Sequence, residues 1–233
     1  ILLFGKSIQP DRSGIHRTPK VYRQTDSVFV SVLDHIRTNT AGAADLQLLN
    51  TRYGSHIEES EADMYITLAT RRDTVDSINE KKLAELAGEP ITFEGSIEGD
   101  FPESSLPTSQ ELVLKPGAQI IFIKNDFDRR WVNGTIGVIA GIDEEEETIY
   151  VITDDGKECD VKRESWRNIR YRYNEKTKEI EEEVLGSFTQ YPIRLAWAIT
   201  VHKSQGLTFS RVVIDFTGGV FAGGQAYVAL SRC

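Results

Sequence analysis

Thr200, His202, Lys203 and Ser204 crowd hydroxyl, imidazole and ammonium groups into the run TVHKSQG. Donors at this density suit phosphate oxygens, and a single nucleic-acid strand offers those oxygens in series. Gln205 and Gly206 close the run. A glycine there either lets backbone approach a ligand or ends a turn or helix. Further on the chain reads GQAYVALSR, reaching Arg232, while Arg23 sits in KVYRQ near the start. A guanidinium is permanently charged and forks onto phosphate oxygens, so both arginines are candidates for sensing a nucleotide phosphate. The plain alternatives are a helix-end cation at Arg232 and a surface arginine before a helix at Arg23. Gln225 either orients groups in the same cleft or simply starts a helix.

A second cluster is Thr70 and Arg71, at the end of the strand candidate 64–69. Ligands of open α/β sheets gather beyond the carboxyl ends of the strands. The hydroxyl and guanidinium there suit a DNA backbone, with helix capping by Thr70 as the alternative. Asn79, in the following helix, is a further candidate for the same ligand. Gly5-Lys6-Ser7 invites a phosphate-loop reading. The pattern GxxxxGK[ST] would put ILLF in its middle, which suits a strand end better than a phosphate cradle.

These groups need a scaffold, and composition bounds it. The chain has 233 residues, 39% hydrophobic and 27% charged, enough for one or two globular domains with a real core. No apolar run approaches a membrane span, and the apolar start at Ile1–Phe4 is too short for a leader. The two cysteines, Cys159 and Cys233, form no CxxC, and the four histidines lie far apart. That pattern predicts no zinc site and a reducing compartment. The net charge of −9 argues at first against a polyanion partner, but residues 143–183 alone carry −7. The acidity is mostly local and leaves a nucleic-acid groove possible elsewhere.

Asp26 is placed to cap a helix running to about Thr38, with Val28, Phe29, Val32, Leu33 and Ile36 on one stripe. Further helices are expected over 43–49 and 72–86, and strands over 64–69 and at Val212–Phe216. This alternation predicts an α/β layer with a largely parallel sheet. Between Pro90 and Pro192 the pattern changes to short strands with turns. Lys115-Pro116-Gly117 reads as a type II turn, and Asp155-Gly156 as a hairpin tip. Asp143–Glu147 reads as a solvated hairpin tip, and Glu181–Glu183 as partners for Arg170 or Arg172 across a second hairpin. Short strands in series suggest a small barrel inserted in the α/β domain, which resumes at Ile193.

TVHKSQG followed by YVALSR resembles motifs V and VI of superfamily 1 DNA helicases, closest to the Pif-type group and its RecD and Dda relatives. KVYRQTDSVF resembles the group's motif IV, and TLATRRDTVDSIN its segment that touches single-stranded DNA. The stretch at Gly5–Gln9 lies near its motif III. LVLKPGAQIIFIKND and WVNGTIGVI are similar to the group's inserted Src-homology-3-like barrel. The resemblance implies a second RecA-like domain at 1–89 and 193–233, interrupted by a barrel at 90–192. It implies the C-terminal motor portion of an ATP-dependent DNA helicase moving 5′-to-3′. Arg23 and Arg232 would act as arginine fingers, with Gln225, Gln205 and Gly206 at the nucleotide. Thr70, Arg71, Asn79, Thr200, His202, Lys203 and Ser204 would face DNA. ATP and Mg2+ would belong to the full-length enzyme, since this chain shows no Walker A or B motif and is expected to be inactive alone. Partners would be single-stranded DNA, duplex junctions and the first RecA-like domain, with no membrane and a monomeric fragment. The compartment would be bacterial or phage cytoplasm, or the nucleus or mitochondrion. A helicase-like binding module without motor activity, an RNA-directed helicase and a nuclease-complex subunit stay open.

Overall fold

The computed structural model describes residues 26–53, 64–174, 178–220 and 224–232. Arg23, the KVYRQ segment and the Gly5–Gln9 stretch lie outside these residues. The chain divides into two compact units, one of residues 1–80 with 197–233 and the other of residues 81–196. Together they form a mixed α/β molecule with several sheets.

In the first unit, helix α1 (Ser27–Arg37) begins where expected. The Asp26 carboxylate accepts from the amides of Val28 and Phe29 at 2.9 and 3.1 Å, which satisfies two of the helix's orphan donors. Helix α2 (Ala43–Asn50) follows, with the Asp45 carboxylate reaching back to the Gly42 amide at 2.8 Å. Strand β1 (Ile66–Ala69) is buried throughout and leads into helix α3 (Arg72–Glu85). Near the end of the chain come β12 (Ala198–Thr200), β13 (Val212–Asp215) and the short helix α4 (Gln225–Leu230). The three strands form a parallel sheet in the order β12-β1-β13. Val32, Leu33, Leu49 and Leu230 make one core with Phe29, Ile36, Ile214 and Tyr227, so α1, α2 and α4 share an apolar interior with β13. Ala69, Val75 and Ala198, with Ile78, pack α3 onto the sheet. These contacts supply the stability that a three-stranded sheet lacks by itself.

The second unit is almost entirely antiparallel. Its strands are β2 (Ile91–Glu94), β3 (Ser96–Gly99), β4 (Glu111–Leu114), β5 (Gln119–Phe122), β6 (Ile136–Asp143), β7 (Thr148–Thr153), β8 (Glu158–Val161), β9 (Glu164–Asn174), β10 (Glu179–Gln190) and β11 (Ile193–Leu195). They form a five-stranded sheet β11-β5-β6-β7-β8, a three-stranded sheet β3-β10-β9 and the pair β2-β4. Alternation places Ile149, Val151, Ile120, Phe122, Phe188 and Ile193 inside. Phe122 stacks on Trp131 with ring centroids 4.4 Å apart.

The turns follow the sequence chemistry. Gly117 has φ +85° and the Ala118 amide donates to the Lys115 carbonyl, as a Pro-Gly turn requires. Gly156 has φ +79° at the β7–β8 hairpin. Arg172 meets Glu183 at 2.9 Å across the β9–β10 hairpin. One expectation fails locally. Ile193–Leu195 do not resume the α/β layer but pair with β5 as β11, Ile193 opposite Phe122. Apart from Arg194 and Thr200 the run IRLAWAIT is apolar, and nothing in its pattern reveals which neighbour each half will choose.

Candidate nucleic-acid interface

The parallel register brings three strand ends level. Ala69 lies beside both Thr200 and Asp215. Beyond those ends the chain leaves the sheet at Thr70-Arg71, at 200–203 and at 215–218. An open depression of about 520 Å³ forms there, lined by Thr70, Arg71, Arg72, Asp73, Thr200 and His202. The two clusters singled out in the sequence thus share one site.

Thr70 is 3% exposed, and its hydroxyl oxygen has no hydrogen-bond partner among the described residues. Arg71 donates from Nε and Nη2 to the two Asp73 carboxylate oxygens at 3.2 and 3.0 Å. This fork is the first cause that holds the Asp73 carboxyl below its usual range. Gly218, after β13, lies against the Arg71 stem so closely that a Cβ would collide with it. Arg72 pairs along α3 with Asp76 at 3.6 Å.

The TVHKSQG run is a tight turn. The Ser204 amide donates to the Thr200 carbonyl at 3.1 Å, Gln205 to His202 at 3.2 Å and Leu207 to Ser204 at 3.0 Å. The Thr200 hydroxyl accepts from the Lys203 amide at 3.3 Å. Gly206 takes φ +86°, a conformation that explains a glycine at this position. The turn exposes His202, Lys203 and Gln205. Ser204 faces inward instead, fully buried, with its hydroxyl donating to the Val201 carbonyl at 2.7 Å. The expected Ser204 contact with DNA is therefore corrected: the hydroxyl is spent on the turn itself.

Asn79 is corrected in the same way. It is 8% exposed, its Nδ2 donates to the Ala198 carbonyl at 3.0 Å, and its Oδ1 accepts from the Ala198 amide at 2.9 Å. Its carboxamide is buried against the Ala198 backbone rather than presented to a ligand.

Arg232 and Gln225 do not line the depression. Gln225 is 4% exposed at the start of α4. The Arg232 guanidinium donates to the carbonyls of Val228 and Leu207 at 3.0 and 3.2 Å and to the Ser231 hydroxyl at 2.7 Å. Arg72, Asp73 and Gly218 were missed as site residues. The available signal for the first two was their place in TRRD, directly after a strand end.

No protein-family model matches the chain. Over 90% of its length it is 32% identical to the ATP-dependent DNA helicase Pif1 of Bdellovibrio bacteriovorus, and it covers 46% of that protein. It is 35% identical to human ATP-dependent DNA helicase PIF1 over 91% of its length, covering 32% of that protein. Its relatives are Pif1 helicases. The chain spans about a third to a half of the length of the Pif1 proteins it matches. The likeness extends to the fold. The crystal structure of Bacteroides Pif1 with ADP-AlF4 superposes with a TM-score of 0.79 at 38% identity, over 92% of this chain and 48% of that one. Bacteroides Pif1 bound to single-stranded DNA gives a TM-score of 0.67 at 37% identity, over 92% of this chain and 48% of that one. The Pif-type resemblance of the motifs therefore holds across nine-tenths of the sequence.

Proposed function

We propose that this chain is part of the motor of an ATP-dependent DNA helicase, and that the depression at the sheet's carboxyl edge binds single-stranded DNA. The observation that carries this reading is the convergence of Thr70, Arg71, Arg72, Thr200 and His202 on one open site, with Lys203 exposed beside it. The buried Thr70 hydroxyl, lacking a partner among the described residues, suits a phosphate oxygen or a bridging water. Among the described residues the Arg71 guanidinium pairs with a neighbouring, exposed carboxylate, which a DNA phosphate can replace. The Pif1 relatives are named as ATP-dependent DNA helicases, and one was crystallised on single-stranded DNA.

On this reading the first unit is the second RecA-like domain and the second unit is the inserted Src-homology-3-like barrel. Arg232, with Arg23, faces ATP held mainly by the first RecA-like domain of the whole enzyme. The residues fit this role in part. Among the contacts of Arg232 are the neutral oxygens of Leu207 and Ser231, and a phosphate makes stronger, charge-assisted bonds. ATP with Mg2+ supplies the free energy of movement, in the 5′-to-3′ direction on the same reading. This chain's own part is to hold the strand and present a guanidinium. Gln225 and the 205–206 turn contribute by position, as Gln225 is buried.

The deciding experiment measures ATP turnover by the whole protein against rising oligo-dT, oligo-U and forked duplex. DNA should stimulate turnover strongly, and Thr200→Ala with His202→Ala should raise the DNA concentration needed. Turnover indifferent to DNA, or stimulated only by RNA, overturns the reading.

A further inference from the structure

We infer that Asn79 is a positioning residue for the nucleic-acid interface, fixing the spacing between its two walls. The inference rests on reading the depression as the DNA site. Among the described residues β12 is an outer strand of the parallel sheet. Its inner backbone groups bond to β1: the Thr67 amide donates to the Trp197 carbonyl at 2.8 Å, and the Val201 amide donates to the Ala69 carbonyl at 3.0 Å. The amide and carbonyl of Ala198, on the alternate side, point away from β1. Left bare in a buried place, they would cost free energy and invite another strand.

The Asn79 side chain takes both. A carboxamide carries one acceptor and a donor in a plane, the same pair that a neighbouring strand presents. Here the pair is filled in the only sense that satisfies both groups, Oδ1 from the Ala198 amide and Nδ2 to the Ala198 carbonyl. One side chain therefore stands in for a strand. The contact joins residues 119 apart in sequence.

Its location gives the contact a functional consequence. Ala198 lies two residues before Thr200 and four before His202, which line the depression. Asn79 belongs to α3, whose first residues Arg72 and Asp73 line the same depression from the α3 side, with Arg71 just ahead. Seven residues of helix separate Arg72 from Asn79, about 10 Å of rigid rod. The helix thus begins in one wall and, two turns later, grips the strand that delivers the other. Packing alone does not impose this register, because apolar contacts are not directional. Paired hydrogen bonds are, and a displacement of about 1 Å in such contacts can cost a binding or catalytic site severely.

The test uses the whole helicase with Asn79→Ala and Asn79→Leu. The readouts are ATP KM, kcat at saturating oligo-dT, the oligo-dT concentration for half-maximal stimulation, and amide exchange over residues 196–206. Both variants should exchange faster at 198–204 without DNA. Half-maximal stimulation should need about tenfold more oligo-dT, with kcat at saturation within about twofold and ATP KM unchanged, the signature of misplaced contacts. The double variant with His202→Ala should lose less than the product of the single losses, since both act on one contact. If Asn79→Leu fails to fold, Asn79→Ala decides alone. Faster exchange with an unchanged oligo-dT requirement shows a purely structural clamp and overturns the inference. Full multiplicativity with His202→Ala does the same. If His202→Ala and Lys203→Ala themselves leave the oligo-dT requirement unchanged, the depression is not the DNA site and the inference falls with that reading.

Discussion

Arg232 donates through Nη1 to the Leu207 carbonyl at 3.2 Å, across twenty-five residues of chain. The return contact is the Phe209 amide on the Arg232 carbonyl at 2.9 Å. These two bonds tie the end of α4 to the segment that leaves the TVHKSQG turn. The residue proposed to meet the nucleotide is therefore also a strut beside the proposed DNA turn.

Arg232→Ala in the whole enzyme should accordingly do two things. Stability should fall by about 1–2 kcal/mol, the usual net worth of a few partly buried hydrogen bonds. DNA-stimulated turnover should drop by roughly a thousandfold, because an arginine finger acts on charge that develops in the transition state. Arg232→Lys should recover part of the stability and little turnover, since an ammonium cannot reproduce the planar fork. Arg172→Ala, at the exposed β9–β10 pair, is the control and should change turnover little. Near-normal turnover in Arg232→Ala would leave the residue as a strut only.

Lys203→Ala tests the exposed side of the turn. Lys203 stands next to His202, which lines the depression, and is itself exposed. Its loss should weaken single-strand binding about equally for all sequences and reduce the salt slope by about one contact. Thermal stability should hardly move. An unchanged slope with a lowered melting temperature would assign Lys203 to the fold.

Ser204→Ala should behave in the opposite way. The hydroxyl bonds Val201 inside the turn, so its removal should cost about 1 kcal/mol of stability. The salt slope of DNA binding should stay as in the wild type, because no phosphate contact is lost. A reduced slope with unchanged stability would return Ser204 to the ligand.

The contrast between Lys203 and Ser204 shows what a sequence can and cannot state. Asp26, Pro116-Gly117 and Asp155-Gly156 were legible because their chemistry is local: a carboxylate two or three residues before bare amides, or a glycine where φ must be positive. Thr70 and Arg71 stand at a strand end, where parallel sheets gather ligands, and Thr200 stands in a donor-rich run; what the sequence does not tell is that the two share one depression. Ser204 is in sequence one more donor of the TVHKSQG run, yet a turn that bonds residue 204 back to residue 200 rotates it into the core. Asn79 could not be read at all from its surroundings. Its partner is 119 residues away, and an amide that mimics a strand looks in sequence like any polar residue on a helix. Ile193–Leu195 pair with β5 in the second unit for the same reason, since pairing partners are non-local.

In the second unit an ion pair makes stability depend on pH. Asp126 accepts from Arg130 Nη2 at 2.7 Å, from Nε at 3.0 Å and from the Arg130 amide at 3.1 Å. Arg130 also donates to the Asp160 carboxylate at 2.8 Å and lies 4.6 Å from the centre of the Trp131 ring. This fork braces the loop that carries Phe127, which is 97% exposed. The Arg130 fork is the first cause that holds the Asp126 carboxyl below its usual range. Asp126→Asn should cost about 2 kcal/mol, in line with hydrogen bonds to an ionised partner. The sign with pH follows from the depressed value. The contribution is fully present above the unfolded carboxyl's pKa of about 3.9 and is lost as pH falls through the lower folded value. Urea melts of both proteins should therefore show a constant stability gap from pH 8 to about pH 5, closing only as the solution becomes more acidic than about pH 4. A gap that closes already between pH 7 and 5 would show that some other titrating group, and not the Asp126 carboxylate, sets the strength of this brace.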